Sequence, residues 1–516
     1  MNGHHPVADS VSTVQKKILI IGGGTGLAST YLLEHMPNLE VVLAEASNRL
    51  GGHINSIDFG VHGMAEGGAE FIGSETSYPN VHQLFKQLGV RLNKYELNIE
   101  IRQMNQPTQH NSIIFPPIYH CTKKVDTSLS SRFFSWLAPA QNHYQKKTVF
   151  SSDTFFNRLT DFLTIDAVLA FAMHEKSPNE SLELETLEAF LERFKLHSLH
   201  EDATGEQIDS FANRLLYPMV AGSWGIPLAE VKKMGAHYAL NYFSLSKDWH
   251  DAPDGLSDYI NKMRAACLSA DIRLNTPVTK LVPCQTTDGQ PVKYQALLKD
   301  GTFLLDTTTG QPAVFDDVII STPAYAMADI LPDIDSQALS ELRDALKAVR
   351  YYNTTVAFHL DPRYQSPNNT VVHTRIDGEL AANTIQKDWK AAEGEIAIMK
   401  TWVLPGQPMP DPDRTKATCY YHHPYMDEHF FKAQQMLRAM QTKYGLNFGS
   451  VLGGNGDSHE DAIMAAFQAA HAICTKYHCL DRNVKLMPLL NDNREVVVRN
   501  AQLTSSETAE LPGPSI

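Results

Sequence analysis

Six cysteines are spread through 516 residues, none of them in a C-x-x-C spacing, so nothing points to a disulfide framework. Dispersed thiols of this kind (Cys121, Cys267, Cys284, Cys419, Cys474, Cys479) fit a reducing compartment, and a cytoplasmic location is the expectation. A metal site also lacks ligands. His471, Cys474 and His478 share one helical face, Cys479 does not, and nothing completes a tetrahedral set. No run of about 18 apolar residues occurs, so no transmembrane helix is expected. Residues 1–15 are polar, contain Asp9 and lack an apolar h-region, unlike a Sec signal peptide. A signal of another type, read from a polar tail, would leave no mark in composition. Positive charge is in deficit. The 44 Lys and Arg stand against 58 Asp and Glu, a net charge of −14, which disfavours nucleic acid and anionic membrane as partners. Internal repeats are missing, and oligomeric state is not legible.

What is present is a large globular composition, 43% hydrophobic and 20% charged. The most informative stretch is Lys17–Ser56. A short apolar strand (Ile18–Ile21) runs into a glycine cluster at Gly22, Gly23, Gly24 and Gly26. A helical stretch (Leu27–His35) and a second apolar strand (Val41–Ala44) follow, ending at Glu45. Strand, glycine turn, helix, strand and acidic residue in this order make a unit that seats a dinucleotide. Glycines let the backbone approach a pyrophosphate, the helix N-terminus offers free N–H groups, and the acid accepts ribose hydroxyls. The spacing departs from G-x-G-x-x-G: Leu27 stands where the third glycine is due from Gly22, and Ser29 where it is due from Gly24. Either the turn is one residue shorter or Ser29 makes the close helix–strand contact.

The run EASNRLGGH that follows resembles the E-A-x-x-R-x-G-G-R segment of the flavin amine oxidase superfamily, which includes monoamine and polyamine oxidases. The resemblance implies FAD as cofactor, with Glu45, Ala46, Arg49, Gly51 and Gly52 along it and His53 replacing the family's second Arg. The segment GMAEGGAEFIG (Gly63–Gly73) is similar to the family's stretch beside the isoalloxazine, through Gly68, Ala69, Glu70 and Phe71. A hairpin with glycine turns is the alternative reading. NFGSVLGGNGDSHEDA resembles the last flavin contact, with Gly449 and Ser450 as the step and His459, Glu460, Asp461 and Ala462 opening a helix. Acidic residues in a first helical turn are also favourable through the helix dipole alone. NTPVTKL (Asn275–Leu281) followed by DVIISTP (Asp317–Pro323) resembles the strand pair that contacts adenine, with Val278 as the matching residue. Within the superfamily the pattern is most similar to a bacterial branch with G-G-H and H-E-D, linked to fatty-acid metabolism. YPMVAGSWGIPL (Tyr217–Leu228) and DAPDGLSDYI (Asp251–Ile260) also resemble that branch and a fatty-acid double-bond isomerase.

The fold class expected is α/β. A Rossmann-like FAD-binding domain of glutathione-reductase type (15–95, 255–330 and 440–490) is interleaved with an α+β substrate domain (96–254 and 331–439), with flexible tails at 1–14 and 504–516. The aromatic stretch RFFSWLAP (Arg132–Pro139) reads as core or lid, with a membrane-touching loop as the alternative. Strands are expected at Thr354–Leu360, Glu395–Leu404 and Thr418–His422, and helices at Glu428–Lys443 and Glu460–Tyr477. Family members often place a lysine near flavin N5 and two aromatics around the substrate. Lys400 in AIMKTWVL, with Trp402 on the same face, is the candidate; an edge-strand lysine beside a core Trp is the alternative. Among Tyr420, Tyr421, His422 and His423, alternation sends two toward a pocket, and Tyr421 is the candidate.

Three functions remain open at this stage. One is oxidation of an amine or amino acid by hydride transfer to flavin N5, with O2 as acceptor. Another is desaturation or double-bond isomerisation of a fatty-acyl chain. A third is FAD binding without catalysis.

Overall fold

The computed structural model describes residues 15–34, 36, 38–68, 70–96, 99–103, 113–115, 168, 184–198, 205–241, 248–284, 292–366, 371–387, 395–404, 406–454 and 456–479. Ala69, the aromatic stretch 132–139 and both expected tails lie outside these residues.

In chain order the strands are β1 (Lys16–Ile21), β2 (Leu39–Ala44), β3 (Ser56–Asp58), β4 (Met64–Glu66), β5 (Asn93–Glu96), β6 (Ile99–Gln103), β7 (Ile113–Phe115), β8 (Asp248–Asp251) and β9 (Asp271–Arg273). They continue with β10 (Val278–Pro283), β11 (Tyr294–Leu298), β12 (Asp317–Ile320), β13 (Tyr351–His359), β14 (Val372–Asp377), β15 (Leu380–Lys387), β16 (Ile398–Val403), β17 (Thr415–Pro424) and β18 (Leu446–Phe448). The helices that matter for the site are α1 (Thr25–Leu33), α2 (Pro79–Leu88), α3 (Tyr217–Trp224), α4 (Ser257–Ala266), α5 (Glu428–Met440) and α6 (His459–Lys476).

Five strands form a parallel sheet in the order β18-β12-β1-β2-β9. Ile18–Ile21 and Val41–Ala44 are buried on both faces, as continuous apolar runs in a covered parallel sheet should be. Helix α1 is buried at every position but Thr25, because it lies between the sheet and α6. Ser29 donates its hydroxyl to the Ala466 carbonyl of α6 at 2.9 Å. At the far end of α6, Lys476 and the Tyr477 hydroxyl both bond the Asp317 carboxylate, fastening the helix to the start of β12.

A seven-stranded sheet runs β17-β13-β16-β15-β14-β6-β7, antiparallel except for the β14–β6 pair. Its strand register sorts side chains between two faces. One face carries Tyr352, Thr354, Trp402, Lys400, Lys387, Tyr421 and His423. Part of that face is covered by α3, where Gly222 lies against Asn383 and Thr374.

Two expectations need correction here. The segments around Val278 and Asp317 do not pair with each other: β10 forms a hairpin with β11, while β12 pairs with β1 and β18. Lys400 is not on an edge strand, since β16 lies between β13 and β15. The glycine spacing is also settled. A Cβ on Gly26 would lie 2.8 Å from Ile20 Cγ2 and 3.3 Å from Ser321 Cβ, so Gly26 itself makes the close helix–strand contact and the turn is the shorter one. Gly26→Ala should therefore overpack this contact and lower the unfolding free energy by roughly 1–3 kcal/mol. Chemical denaturation would measure it; an unchanged midpoint would mean that α1 can slide away from β1 at no cost.

Candidate functional site

The carboxyl ends of β1, β12 and β18 converge on one cleft, the place where open parallel sheets bind ligands. Gly22 N–H donates to Ala44 O at 2.8 Å, Ser321 N–H to Ile21 O at 2.8 Å, and Gly449 N–H to Ile320 O at 3.0 Å. Gly22 has φ +100°, and a Cβ there would meet the Ser321 carbonyl at 2.5 Å. Only glycine permits that conformation at that distance.

Glu45 leaves β2 and turns back to the glycine turn. Its carboxylate accepts from Gly23 N–H at 2.6 Å and from Ser47 N–H at 2.7 Å. Ala46 is exposed beside it. Arg49 gathers the next loop, donating to Gly52 O at 2.7 Å and Ile54 O at 2.8 Å. That brings Gly52 opposite Gly24, so that a Cβ on either would face the other's backbone at 3.2–3.6 Å. Two side-chain-free backbones thus lie close against each other, Gly24 half-buried and Gly52 exposed.

Gly67 and Gly68 form the next wall. A Cβ on Gly68 would lie 2.1 Å from His53 O, and one on Gly67 would lie 2.3 Å from the Tyr421 hydroxyl. Opposite them stand rings from the seven-stranded sheet. His53 meets Tyr421 edge-on at 5.4 Å and His423 at 5.0 Å. Tyr352 lies 5.8 Å from His423, and its hydroxyl bonds Trp224 O at 2.7 Å. Tyr420 is 78% exposed, and His422 stacks on Tyr351 on the opposite face of the sheet, so Tyr421 and His423 are the two that turn inward. Burial pushes the His423 imidazole down to about 3, helped by His53 and Lys400. His53 is held below its ordinary range by the surrounding protein and by Arg49, although its edge reaches the open cleft. Both rings are therefore neutral at physiological pH.

Lys400 is fully buried. Its ammonium donates to Gly68 O at 2.9 Å and to Glu70 Oε2 at 3.2 Å, and it sits 4.7 Å over the Trp402 ring. Glu70 lies in the same cluster, and Phe71 packs edge-on against Trp249 at 5.6 Å. Val278 opens β10 and is buried.

At the last segment, Gly449 is pressed against Ser321, and Ser450 follows it with a buried hydroxyl. The acidic residues of α6 do something other than expected. Glu460 turns away and caps α2, accepting from Asn80 N–H at 3.0 Å, the Asn80 side chain at 2.5 Å and Val81 N–H at 3.0 Å. Asp461 closes a capping box with Ser458. Ala462 continues the first turn behind them. Helix capping therefore takes up both carboxylates that the sequence offers to the cofactor. Three residues that the sequence reading overlooked belong to the site's surroundings: Lys387, Tyr352 and Asp457. Asp457 accepts from Trp224 Nε1 at 3.2 Å and from the Tyr238 hydroxyl. A lone Asp in a glycine-rich loop gives no periodic signal that would have found it.

Burial pushes Glu460 up to about 7, against the pull of the Asn80 and Val81 donors. A carboxyl raised on folding contributes stability below its unfolded value, and that contribution is lost as pH rises through about 7. The melting temperature should therefore fall between about pH 5 and about pH 7, and Glu460→Gln should flatten that part of the profile. An identical profile in the variant would remove Glu460 from the account.

The sequence pattern of the family described as flavin containing amine oxidoreductase matches residues 25–388. No curated protein matches the chain. Among solved structures, the fold is similar to an Exiguobacterium sp. 255-15 protein titled as a protoporphyrinogen oxidase by assignment, at TM-score 0.56 and 16% identity, over 90% of this chain and 100% of that one. Cyclohexylamine oxidase from Brevibacterium oxydans IH-35A is similar at TM-score 0.55 and 14% identity, over 90% and 100%. A putrescine oxidase triple mutant redesigned in its cofactor binding is similar at TM-score 0.56 and 14% identity, over 90% and 99%. The cleft fits FAD on its own evidence. The hydroxyls of Ser321, Thr322 and Ser450 are buried at the strand ends with no partner among the described residues, and Gly24 faces Gly52 across bare backbone. Strand ends, glycine cradle and sequence pattern agree: this chain belongs to the flavin containing amine oxidoreductase family and is an FAD-dependent oxidoreductase.

Proposed function

We propose that the protein oxidises an amine or amino acid, with O2 as acceptor, beside the strand ends where Gly67–Gly68 pack against the rings of the seven-stranded sheet. The observation that carries this reading is the neutral, closely packed wall of His53, Tyr421 and His423. When bound there, FAD supplies an N5 acceptor for a hydride from a substrate C–H bond. An amine gives up that hydride only as the free base. A dry wall of rings lowers the amine's pKa, and neutral imidazoles hold it in place without adding charge. Trp402 and Tyr421 bound the substrate, and Lys400 holds a proton against the Gly68 carbonyl behind them. Two of the similar folds carry the names of amine oxidases, which supports the reading. The segments 15–95, 255–330 and 440–490 together supply the parallel sheet. That supports reading them as one FAD-binding unit, with 96–254 and 331–439 as the substrate unit.

On this reading the backbones of Gly24 and Gly52 meet the pyrophosphate, and Glu45 takes the ribose hydroxyls. Losing a hydrogen bond to a charged acceptor costs about 1.5–3 kcal/mol. Glu45→Ala should thus weaken FAD binding roughly ten- to hundredfold by titration, while Glu45→Gln, which still accepts from Gly23 N–H, should lose less. Unchanged occupancy in the Ala variant would refute the role. For the substrate, the flavin absorbance of the purified protein should bleach anaerobically with some member of an amine and amino-acid panel, and peroxide should appear when O2 is admitted. A flavin that no amine bleaches, in a protein that co-purifies with lipid, would replace this reading with the fatty-acyl one.

A further inference from the structure

Behind Gly67–Gly68 lies a group of charges that hydride transfer does not use. Lys387 and Lys400 project from neighbouring strands to the same side, and both side chains are 0% exposed. Glu70 serves both: Oε1 pairs with Lys387 and Oε2 with Lys400. Glu66 of β4 adds a second buried carboxylate, accepting from Leu256 N–H at 2.9 Å and the Ser56 hydroxyl at 2.9 Å. Asp251 of β8 acts on Lys387 from one side, and Lys400 acts on His423, with His53 beyond it, on the other. Two ammoniums face the carboxylates of Glu70 and Glu66, with Asp251 near Lys387 as a third acid. Burying four charges costs several kcal/mol per ion unless each is well paired. The pairing is uneven. Lys387 makes the tighter contact with Glu70 and lies within the field of Glu66 and Asp251. Lys400 has the looser hold on the shared carboxylate, a neutral carbonyl, a ring face and a like-charged neighbour. In line with this, burial lowers Lys400, and the repulsion of Lys387 adds to it. For Lys387, Glu70 and Glu66 outweigh burial and raise it.

We propose that Lys387 is a positioning residue: by occupying one oxygen of Glu70 and fixing a positive charge there, it makes Lys400 the proton-exchanging group at the Gly67–Gly68 wall. At a pH high enough for Lys400 to be partly the free amine, negative charge accumulating in the cleft draws a proton from water onto it, and that proton returns to water when the charge leaves. Glu70, Glu66 and Lys387 keep their states throughout. This rests on the reading of the cleft as the flavin site.

The test uses the substrate-free holoprotein and measures the flavin midpoint potential against pH, with free FAD as reference. Wild type should show a change of slope, absent from free FAD, below about pH 10. Lys400→Met should abolish it. Lys387→Met should move it upward by about one pH unit or more, because Glu70 then serves Lys400 alone. Lys387→Arg should keep it near the wild-type position. Should Lys387→Met fail to fold, the charge-balanced Lys387→Met/Glu66→Gln should move it in the same direction by less, since Glu66 also favours the charged Lys400. A slope change that persists in Lys400→Met, or stays put when Lys387 is removed, overturns this proposal alone. A protein that takes up no flavin overturns the cofactor reading with it.

Discussion

The backbone contact between Gly22 and the Ser321 carbonyl governs this molecule. Without a side chain at position 22, β1 ends directly against β12, and β18 falls into line beyond it. Everything in the cleft follows from that closeness. The first turn of α1 stands over the strand ends, the Gly51–Gly52 loop can lie across from Gly24, and the hydroxyls of Ser321, Thr322 and Ser450 gather at one rim. A methyl group at residue 22 would push apart the ends of two strands that are otherwise locked by buried aliphatic side chains.

The sequence made the α/β class and the first strand–turn–helix–strand unit legible, because buried parallel strands and a glycine turn leave strong local signals. It misled where a local signal has two physical causes. Glu460 and Asp461 have the composition of a first helical turn whether they face a cofactor or cap helices, and here one caps a neighbouring helix and the other its own. The third glycine was displaced by one because spacing rules assume a turn length, while the Ile20–Gly26 contact depends on the helix's actual start at Thr25. β10 pairs with its sequence neighbour β11, while β12 takes the distant partners β1 and β18, a long-range choice that no local pattern encodes. Lys387 was invisible for a related reason. A lysine closing the strand LAANTIQK looks like a solvated end until β16 and Glu70 are seen to enclose it.

Two kinds of surface meet at the Gly67–Gly68 segment. On one side are uncharged rings and imidazoles held neutral by burial; on the other are four ions locked together. A two-residue stretch of near-bare backbone separates them, and Lys400 bridges the two by bonding the Gly68 carbonyl while lying over Trp402. Such an arrangement costs stability, since well-packed apolar residues would fill the same space more cheaply. The wall carries no charge of its own, because the charges are paired behind it and not within it.

Strand β18 and helix α6 complete the parallel sheet from roughly four hundred residues downstream of β1. A ribosome making about 5–20 residues per second reaches them tens of seconds after the glycine turn has emerged. For all that time α1 lacks the helix that buries its outer side, and β12 has an open edge for the last part of it. The nascent chain must hold a short, apolar, unpaired strand edge until β18 arrives. Aggregation during synthesis, and rescue by chaperones or slower growth, thus depend on how far downstream β18 is encoded.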